Sequence, residues 1–248
     1  MATDTTVSPP DIVYTPGWLD KQECTLTLSK LKEQIDFYRV KYVSERFKKE
    51  CETPCWTAAF TRGPWLSKLK PFHDFPPVLT ELASRVSKVT GKEYNVALVR
   101  LYASGKDQIA WHTDARAFLG TPTSVASVSL GASRIFEMRA PKELWGRYTP
   151  WRSDLYQWTL KDGDLFEMKG RSQDYYVHRV DKTASASPRM NINFRYIPDT
   201  PLAIDGVTTY YKYCVGDGES KKYKDIVKGT LEGFFQPSGS KRKRTEAG

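Results

Sequence analysis

Histidine is scarce: the 248 residues contain three, His73, His112 and His178. Any imidazole chemistry is therefore confined to named positions. Cysteine is nearly as sparse. Cys24, Cys51, Cys55 and Cys214 form no dense disulfide framework, and Cys51-x-x-x-Cys55 has no second pair to complete a zinc site. No apolar run approaches the roughly 18 residues needed to span a bilayer, which excludes a helical membrane protein. The opening MATDTTVSPPD lacks the cationic start and apolar stretch of a secretory signal. These absences lead to the expectation of an intracellular protein with reduced thiols. No internal repeat is visible.

Positive charge is in surplus. Against 29 Asp+Glu stand 38 Lys+Arg, for a net charge of +9, which favours a polyanionic partner; the plain alternative is a merely basic soluble enzyme. Aromatic residues at 13% and hydrophobic residues at 40% argue against a disordered chain. The length suits one generous domain plus a tail.

Residues 1–17 hold Pro9, Pro10 and Pro16 with few large apolar groups and read as a flexible lead-in. A segment of helical support is expected over 18–92. Leu26, Leu28, Leu31 and Ile35 recur at mostly helical spacing, and Val78, Leu82 and Val86 repeat the pattern. Pro76 and Pro77 open that second helix and Gly91 closes it. Over 93–200 the texture changes to short β-favouring runs: NVALVRLY, TSVASVSL, SRIFEMR, DLYQWTL, GDLFEMK, DYYVHRV and RMNINFRYI. Turn formers at Ala103–Gly105, Gly131, Asp162–Gly163 and Gly170 separate them. The expected fold is mainly β, a sandwich or jelly roll with helices on one flank. Residues 201–248 read as a polar tail, at best partly ordered.

Trp111-His112-Thr113-Asp114 follows a strand-like run, and residues i and i+2 of a strand project to the same face. His112 and Asp114 can therefore share one metal, with His178 of YYVHRV as the second imidazole. Two histidines and one carboxylate leave three positions of an octahedral ion open, which suits non-haem Fe(II) chemistry with O2 and a chelating cosubstrate. In PRMNINFR, Arg189, Asn191, Asn193 and Arg195 share one face by the period of two, and a forked cation suits a bidentate carboxylate.

LYASGKDQIAWHTDAR, SVASVSLGASRIFEMR, LKDGDLFEMKGRSQDYYVHRV and PRMNINFR together resemble the AlkB family of Fe(II)/2-oxoglutarate dioxygenases, especially its nucleic-acid demethylases. The resemblance runs in order from about Pro54 to Arg195. It implies a double-stranded β-helix (jelly roll) in which His112, Asp114 and His178 hold iron. It also implies that Tyr102, Arg189, Asn191 and Arg195 hold 2-oxoglutarate, one Arg pairing the distal carboxylate. The activity implied is oxidative removal of N-alkyl groups from bases, releasing formaldehyde, succinate and CO2. Two positions depart from the family pattern. Arg100 stands where Asn is frequent, and Arg116 where an acid is frequent. An inward Arg116 would repel a cationic base, and an outward one would reach a phosphate.

A methyl group on a base inside a duplex cannot reach buried iron, so the nucleotide must be flipped out or start single-stranded. The segment Pro54–Trp65 falls where the family places its base-recognition lid. Trp56 or Phe60 stacks on the base, or both tie the helices to the β core. Lys41, Arg46, Lys48, Lys49, Lys68 and Lys70 flank this segment and suit phosphates or a solvated face.

In the tail, Leu231, Phe234 and Phe235 of TLEGFF resemble a sliding-clamp (PCNA) interaction motif, with Lys228 in the usual Gln place. Docking of the same residues on the body of the protein is the alternative. Lys241-Arg242-Lys243-Arg244 reads as a nuclear address or a phosphate contact. The expectation is thus a nuclear, monomeric DNA demethylase acting on lesions such as 1-methyladenine and 3-methylcytosine. An RNA demethylase with the same site and a catalytically idle clamp-associated adaptor are the rivals.

Overall fold

A computed structural model of the chain describes residues 9–39, 41–44, 48–63, 73–114, 124–141, 155–184, 187–198 and 221–222. The chain enters on β1 (Ile12–Thr15) and forms α1 (Lys21–Gln34). It then runs through β2 (Tyr38–Arg39), the hairpin of β3 (Lys41–Ser44) and β4 (Lys49–Glu52), β5 (Trp56–Thr61), β6 (His73–Asp74) and α2 (Pro77–Thr90). Next come β7 (Val96–Tyr102), β8 (Ile109–His112), β9 (Val125–Gly131), β10 (Arg134–Arg139), β11 (Tyr156–Leu160) and β12 (Leu165–Met168). The single-turn helix α3 (Ser172–Tyr175), β13 (Val177–Val180), β14 (Arg189–Arg195) and β15 (Lys221–Lys222) complete the described elements.

The large sheet has the order β1-β12-β9-β14-β7-β5-β2-β15, with β6 beside β5, and the small sheet β11-β10-β13-β8. Between β7 and β14 the chain passes repeatedly from one sheet to the other: β7, β9, β12 and β14 lie in the large sheet, β8, β10, β11 and β13 in the small one. This is the expected jelly roll. Each expected β run from NVALVRLY to RMNINFRYI contains a strand, although DYYVHRV begins with the helical turn α3 before β13.

Strand periodicity divides the large sheet into two faces. Met190, Ile192 and Phe194 of β14, with Ala97, Val99 and Leu101 of β7, pack with α2 residues Val78, Leu79, Leu82 and Val86. On the opposite face Leu98, Tyr102, Val125, Phe166 and Met168 meet small-sheet residues Phe136, Met138 and Val180. That second layer is the interior of the roll.

Local chemistry sets the helices. Asp20 caps α1 and Glu23 bonds back to the Asp20 N–H in a reciprocal capping box. The buried side of α1 is Cys24 and Leu31, continuing to Ile35 at the cap, whereas Leu26, expected on that side, is 56% exposed. The i, i+4, i+7 row from Cys24 excludes position 26 by about 200° of helical rotation. On α2, Pro77 sits at the first turn and Gly91 ends the helix in the left-handed conformation, φ 67°. Gly163, φ +82°, turns β11 into β12 so close to Leu19 that a Cβ would lie 2.3 Å from its carbonyl oxygen.

Several boundaries differ from the sequence expectation. The lead-in is not loose throughout: β1 pairs antiparallel with β12, Lys169 N–H donates to Asp11 O at 2.8 Å, and the Tyr14 hydroxyl donates to Asp164 at 2.7 Å. Pairing with an otherwise unpaired edge of β12 orders it. The 18–92 segment is not helical support alone, since β5 adds to the large sheet between β7 and β2. In the tail, β15 pairs with β2.

Candidate metal centre

The site grows from the cross-strand register. In the small sheet His178 of β13 lies opposite His112 of β8, and an irregularity in this pairing follows between His178 and Val180. The two imidazole centroids are 4.3 Å apart. Asp114 follows β8, and one ligand atom from each of His112, Asp114 and His178 falls within 4.8 Å of the others. The sequence-derived trio is thus brought together, and among the described residues it is the group of His, Cys, Asp or Glu with metal-holding geometry.

Hydrogen bonds orient these groups. Nδ1 of His112 bonds the Ala110 carbonyl at 2.8 Å. A carbonyl only accepts, so Nδ1 carries the proton and Nε2 keeps a lone pair. The Asp114 backbone N–H donates to Gln173 Oε1 at 3.1 Å, and the Thr113 hydroxyl donates to the Gln173 carbonyl at 2.8 Å. Gln173, on α3, gave no signal in the sequence, because a lone amide on a single helical turn has no spacing to read.

Charge states follow from burial and neighbours. Burial, then the nearby His112, pulls the His178 pKa down to about 3 from its ordinary 6.5. His112 is lowered as well, chiefly by burial, with Asp114 opposing. Burial alone would raise the Asp114 pKa, but the Arg195 guanidinium, with the two histidines, outweighs it and holds the carboxyl well below the usual carboxylate range. Near neutral pH the site therefore presents two neutral imidazoles and one carboxylate, the protonation states a divalent metal requires.

Arg189, Asn191, Asn193 and Arg195 all line the same pocket as the trio, together with Tyr102, Arg100, Ser127 and the apolar Phe136, Leu160, Phe166 and Met168. Arg189 is 1% exposed. Its Nη2 donates to Ser129 Oγ at 2.9 Å, while Nε and Nη1 have no hydrogen-bond partner. Its guanidinium lies 5.3 Å from the Tyr102 ring centroid. Burial pushes the Tyr102 phenol up to about 12, so its hydroxyl stays protonated. Asn191 Nδ2 donates to the Val128 carbonyl at 3.3 Å, and Ser127 Oγ donates to Asn193 Oδ1. Arg195 also meets a member of the trio: its Nη2 donates to both carboxylate oxygens of Asp114, each at 2.8 Å.

The residues fit iron and 2-oxoglutarate. The trio supplies a facial set of one oxygen and two nitrogen donors. A buried guanidinium with two unpartnered nitrogens is costly unless an anion completes it, and one carboxylate of a dicarboxylate would do so.

The base-contact candidates are placed elsewhere. Trp56 and Phe60 are each 5% exposed and belong to the layer shared with α1 and α2. They pair with Leu101 and Ala97, whose side chains face the helices, so neither ring presents a face to the pocket. Arg39 covers Trp56, its guanidinium 4.9 Å from the ring centroid. The alternative stated from the sequence, aromatic residues tying helices to the β core, describes where they lie. The Pro54–Trp65 segment is correspondingly a buried strand of the large sheet over Trp56–Thr61. Arg116, Leu231, Phe234 and Phe235 lie outside the described residues, as does the 241–244 basic run.

Residues 11–195 match the family described as the 2OG-Fe(II) oxygenase superfamily. The chain is 32% identical over 192 residues to alpha-ketoglutarate-dependent dioxygenase alkB homolog 3 of Homo sapiens, a match covering 75% of this chain and 66% of that protein. It is 34% identical over 140 residues to DNA oxidative demethylase ALKBH2 of Arabidopsis thaliana, covering 50% and 44%. Among solved structures, that of OsALKBH1 superposes with a TM-score of 0.55 at 14% identity, covering 77% of this chain and 100% of that one. The non-heme alpha ketoglutarate dependent epimerase SnoN from nogalamycin biosynthesis gives 0.51 at 18% identity, covering 85% and 87%. The last two show a shared fold.

Proposed function

The chain belongs to the 2OG-Fe(II) oxygenase superfamily, and we propose that it is a nucleic-acid demethylase that removes N-alkyl groups, such as those of 1-methyladenine and 3-methylcytosine, from DNA. The observation that carries this reading is one pocket holding both the His112–Asp114–His178 trio and the two unpartnered nitrogens of Arg189. Its relatives named alkB homolog 3 and DNA oxidative demethylase support the substrate class.

When bound, Fe(II) and 2-oxoglutarate let O2 oxidise the alkyl carbon, one oxygen atom entering succinate and the other the carbon that leaves as formaldehyde, with loss of CO2. The chain's own contribution is position and charge. His112, Asp114 and His178 hold the metal, and the Arg195 pair keeps Asp114 anionic and oriented. Gln173 fixes the Asp114 backbone. Arg189 binds the distal carboxylate, and the Tyr102 hydroxyl, kept protonated, is a second donor beside it. Phe136, Leu160, Phe166 and Met168 supply the apolar part of the lining and help to exclude water.

The test is formaldehyde release from methylated single- and double-stranded DNA and RNA oligonucleotides, with and without Fe(II) and 2-oxoglutarate. Release from DNA that needs both additions is expected. Turnover of RNA alone would move the assignment to the RNA demethylase, and no turnover on any strand would end the enzyme reading. Activity surviving His112→Ala would remove the trio from the mechanism.

The tail motif completes the proposal: Leu231, Phe234 and Phe235 dock a sliding clamp, and the 241–244 basic run directs the protein to the nucleus. Deleting residues 228–235 is expected to abolish clamp pulldown and spare activity on short oligonucleotides. Unchanged pulldown would retire the motif.

A further inference from the structure

Away from the roll, α1 and α2 lie side by side and antiparallel. Gln34 at the end of α1 accepts the Val78 N–H at the start of α2 at 3.1 Å, and toward the other end Arg85 pairs with Glu23 at 2.8 Å. Lys30 and Glu81 make a second ion pair across the seam at 2.9 Å. Along this seam runs a groove of about 100 Å3, rimmed by the two ion pairs, whose apolar lining is Leu26, Val78 and Leu82. Leu26 stands 56% exposed at its lip. An apolar notch between two helices, framed by charge, suits a short amphipathic segment.

The chain itself supplies one. β15 pairs antiparallel with β2, Lys222 opposite Tyr38, so β15 runs toward Phe37 and the C-terminal end of α1. The nine residues from Lys222 to Leu231 span about 30 Å when extended, whereas Gln34 and Leu26 are separated by about 12 Å of helix. Reach is therefore ample. Leu231, Phe234 and Phe235 recur at the i, i+3, i+4 spacing of one helical face, and Glu232 is the single charged residue between Gly229 and Ser240. Lys30 and Arg85 on the rim complement that acid.

We propose that residues 229–237 dock in the α1–α2 groove of their own chain, with Leu231, Phe234 and Phe235 covering Leu26. The groove and a sliding clamp then compete for the same three side chains, and the body of the protein withholds the tail until a clamp takes it. The docking stands apart from the oxygenase chemistry, and its competition with the clamp rests on the clamp reading above.

The test replaces Phe234 of the full chain with a photoreactive benzophenone amino acid and maps its cross-links by mass spectrometry. Cross-links to α1 and α2 of the same chain are expected, with a yield unchanged on about tenfold dilution, as an intramolecular contact requires. Leu26→Arg, at an exposed position, is expected to cut that yield by about fivefold or more and to leave Mn(II) affinity at the wild-type value. Should that variant fail to fold, Leu26→Ser carries the same comparison. In chains with Phe234 intact, Leu26→Arg is expected to strengthen pulldown by a sliding clamp (PCNA), because the tail is no longer held, and Phe235→Ser to weaken it. Cross-links to any other part of the chain, a yield that falls on dilution because a second copy is the partner, or a yield indifferent to Leu26→Arg overturns the docking. Groove cross-links lost in Leu26→Arg, with no clamp bound by any variant, retire the clamp reading and leave the docking in place.

Discussion

β14 presents two surfaces that differ in everything except dryness. Outward, toward the helices, stand Met190, Ile192 and Phe194, and inward stand Arg189, Asn191, Asn193 and Arg195, yet all seven positions are buried. The outward residues are satisfied by packing: Phe194 lies among Phe75 and Tyr94, with ring centroids 6.5 Å and 6.1 Å away. The inward face is satisfied only in part, since Arg189 Nε and Nη1 and Arg195 Nε have no hydrogen-bond partner. Burial alone therefore does not distinguish a structural face from a binding face. Unmet hydrogen-bonding capacity does, because a folded chain leaves buried donors unpaired where something else completes them.

The largest effect is expected on the outward face. Phe194→Ala removes a ring from a close-packed layer and should cost about 3–5 kcal/mol of unfolding free energy, read by denaturant titration, with metal affinity nearly unchanged. A comparable loss of metal affinity would show that the two faces are not separable. Next, Arg195→Met on the inward face leaves Asp114 buried without its cation and should cost about 3 kcal/mol in the metal-free protein. Here Mn(II) should restore much of the loss by supplying the missing positive charge, which it cannot do for Phe194→Ala. Thermal midpoints with and without Mn(II) show whether that asymmetry exists.

Acid probes the inward face from another direction. His178 has a folded pKa near 3 against an ordinary 6.5, so below the latter the unfolded chain takes a proton that the native state refuses. Metal-free stability should then fall with pH below about 6.5, by up to roughly 1.4 kcal/mol per unit from this group. His178→Gln should flatten the slope, and an unaltered slope would place the acid sensitivity elsewhere. The smallest effect belongs to neither face. Asp20→Ala removes the cap of α1 and should cost about 1 kcal/mol, with no change in metal or cosubstrate affinity.

Legibility in the sequence followed the same division. The runs from NVALVRLY to RMNINFRYI were readable because alternation or dense β-branched composition marks strands even before their partners are known. β5 was not, since β7 and β2 flank it, both its faces are covered and all six positions are buried, which leaves no alternation to detect. Its aromatics therefore resembled a lid. β1 escaped notice because only pairing with β12 gives its four residues a reason to be a strand.

The metal trio was legible in full, since His112 and Asp114 are two apart and His178 stands in the β-favouring run YYVHRV. That three histidines were so few made the assignment easier. The register of β13 on β8 then decided that the trio meets, and α3 decided that Gln173 steadies it. The period of two placed Arg189, Asn191, Asn193 and Arg195 on a common face, and nothing in that period separates their duties. Which carboxylate a guanidinium meets is a matter of distances across the roll: Arg195 reaches Asp114, whose neighbour in sequence it is not. Sequence by itself determined the donor types and the face they share, because chemistry and strand periodicity are local. Tertiary structure decided which donor answers which charge, because opposite charges pair through space at a few ångströms, whatever the chain length between them.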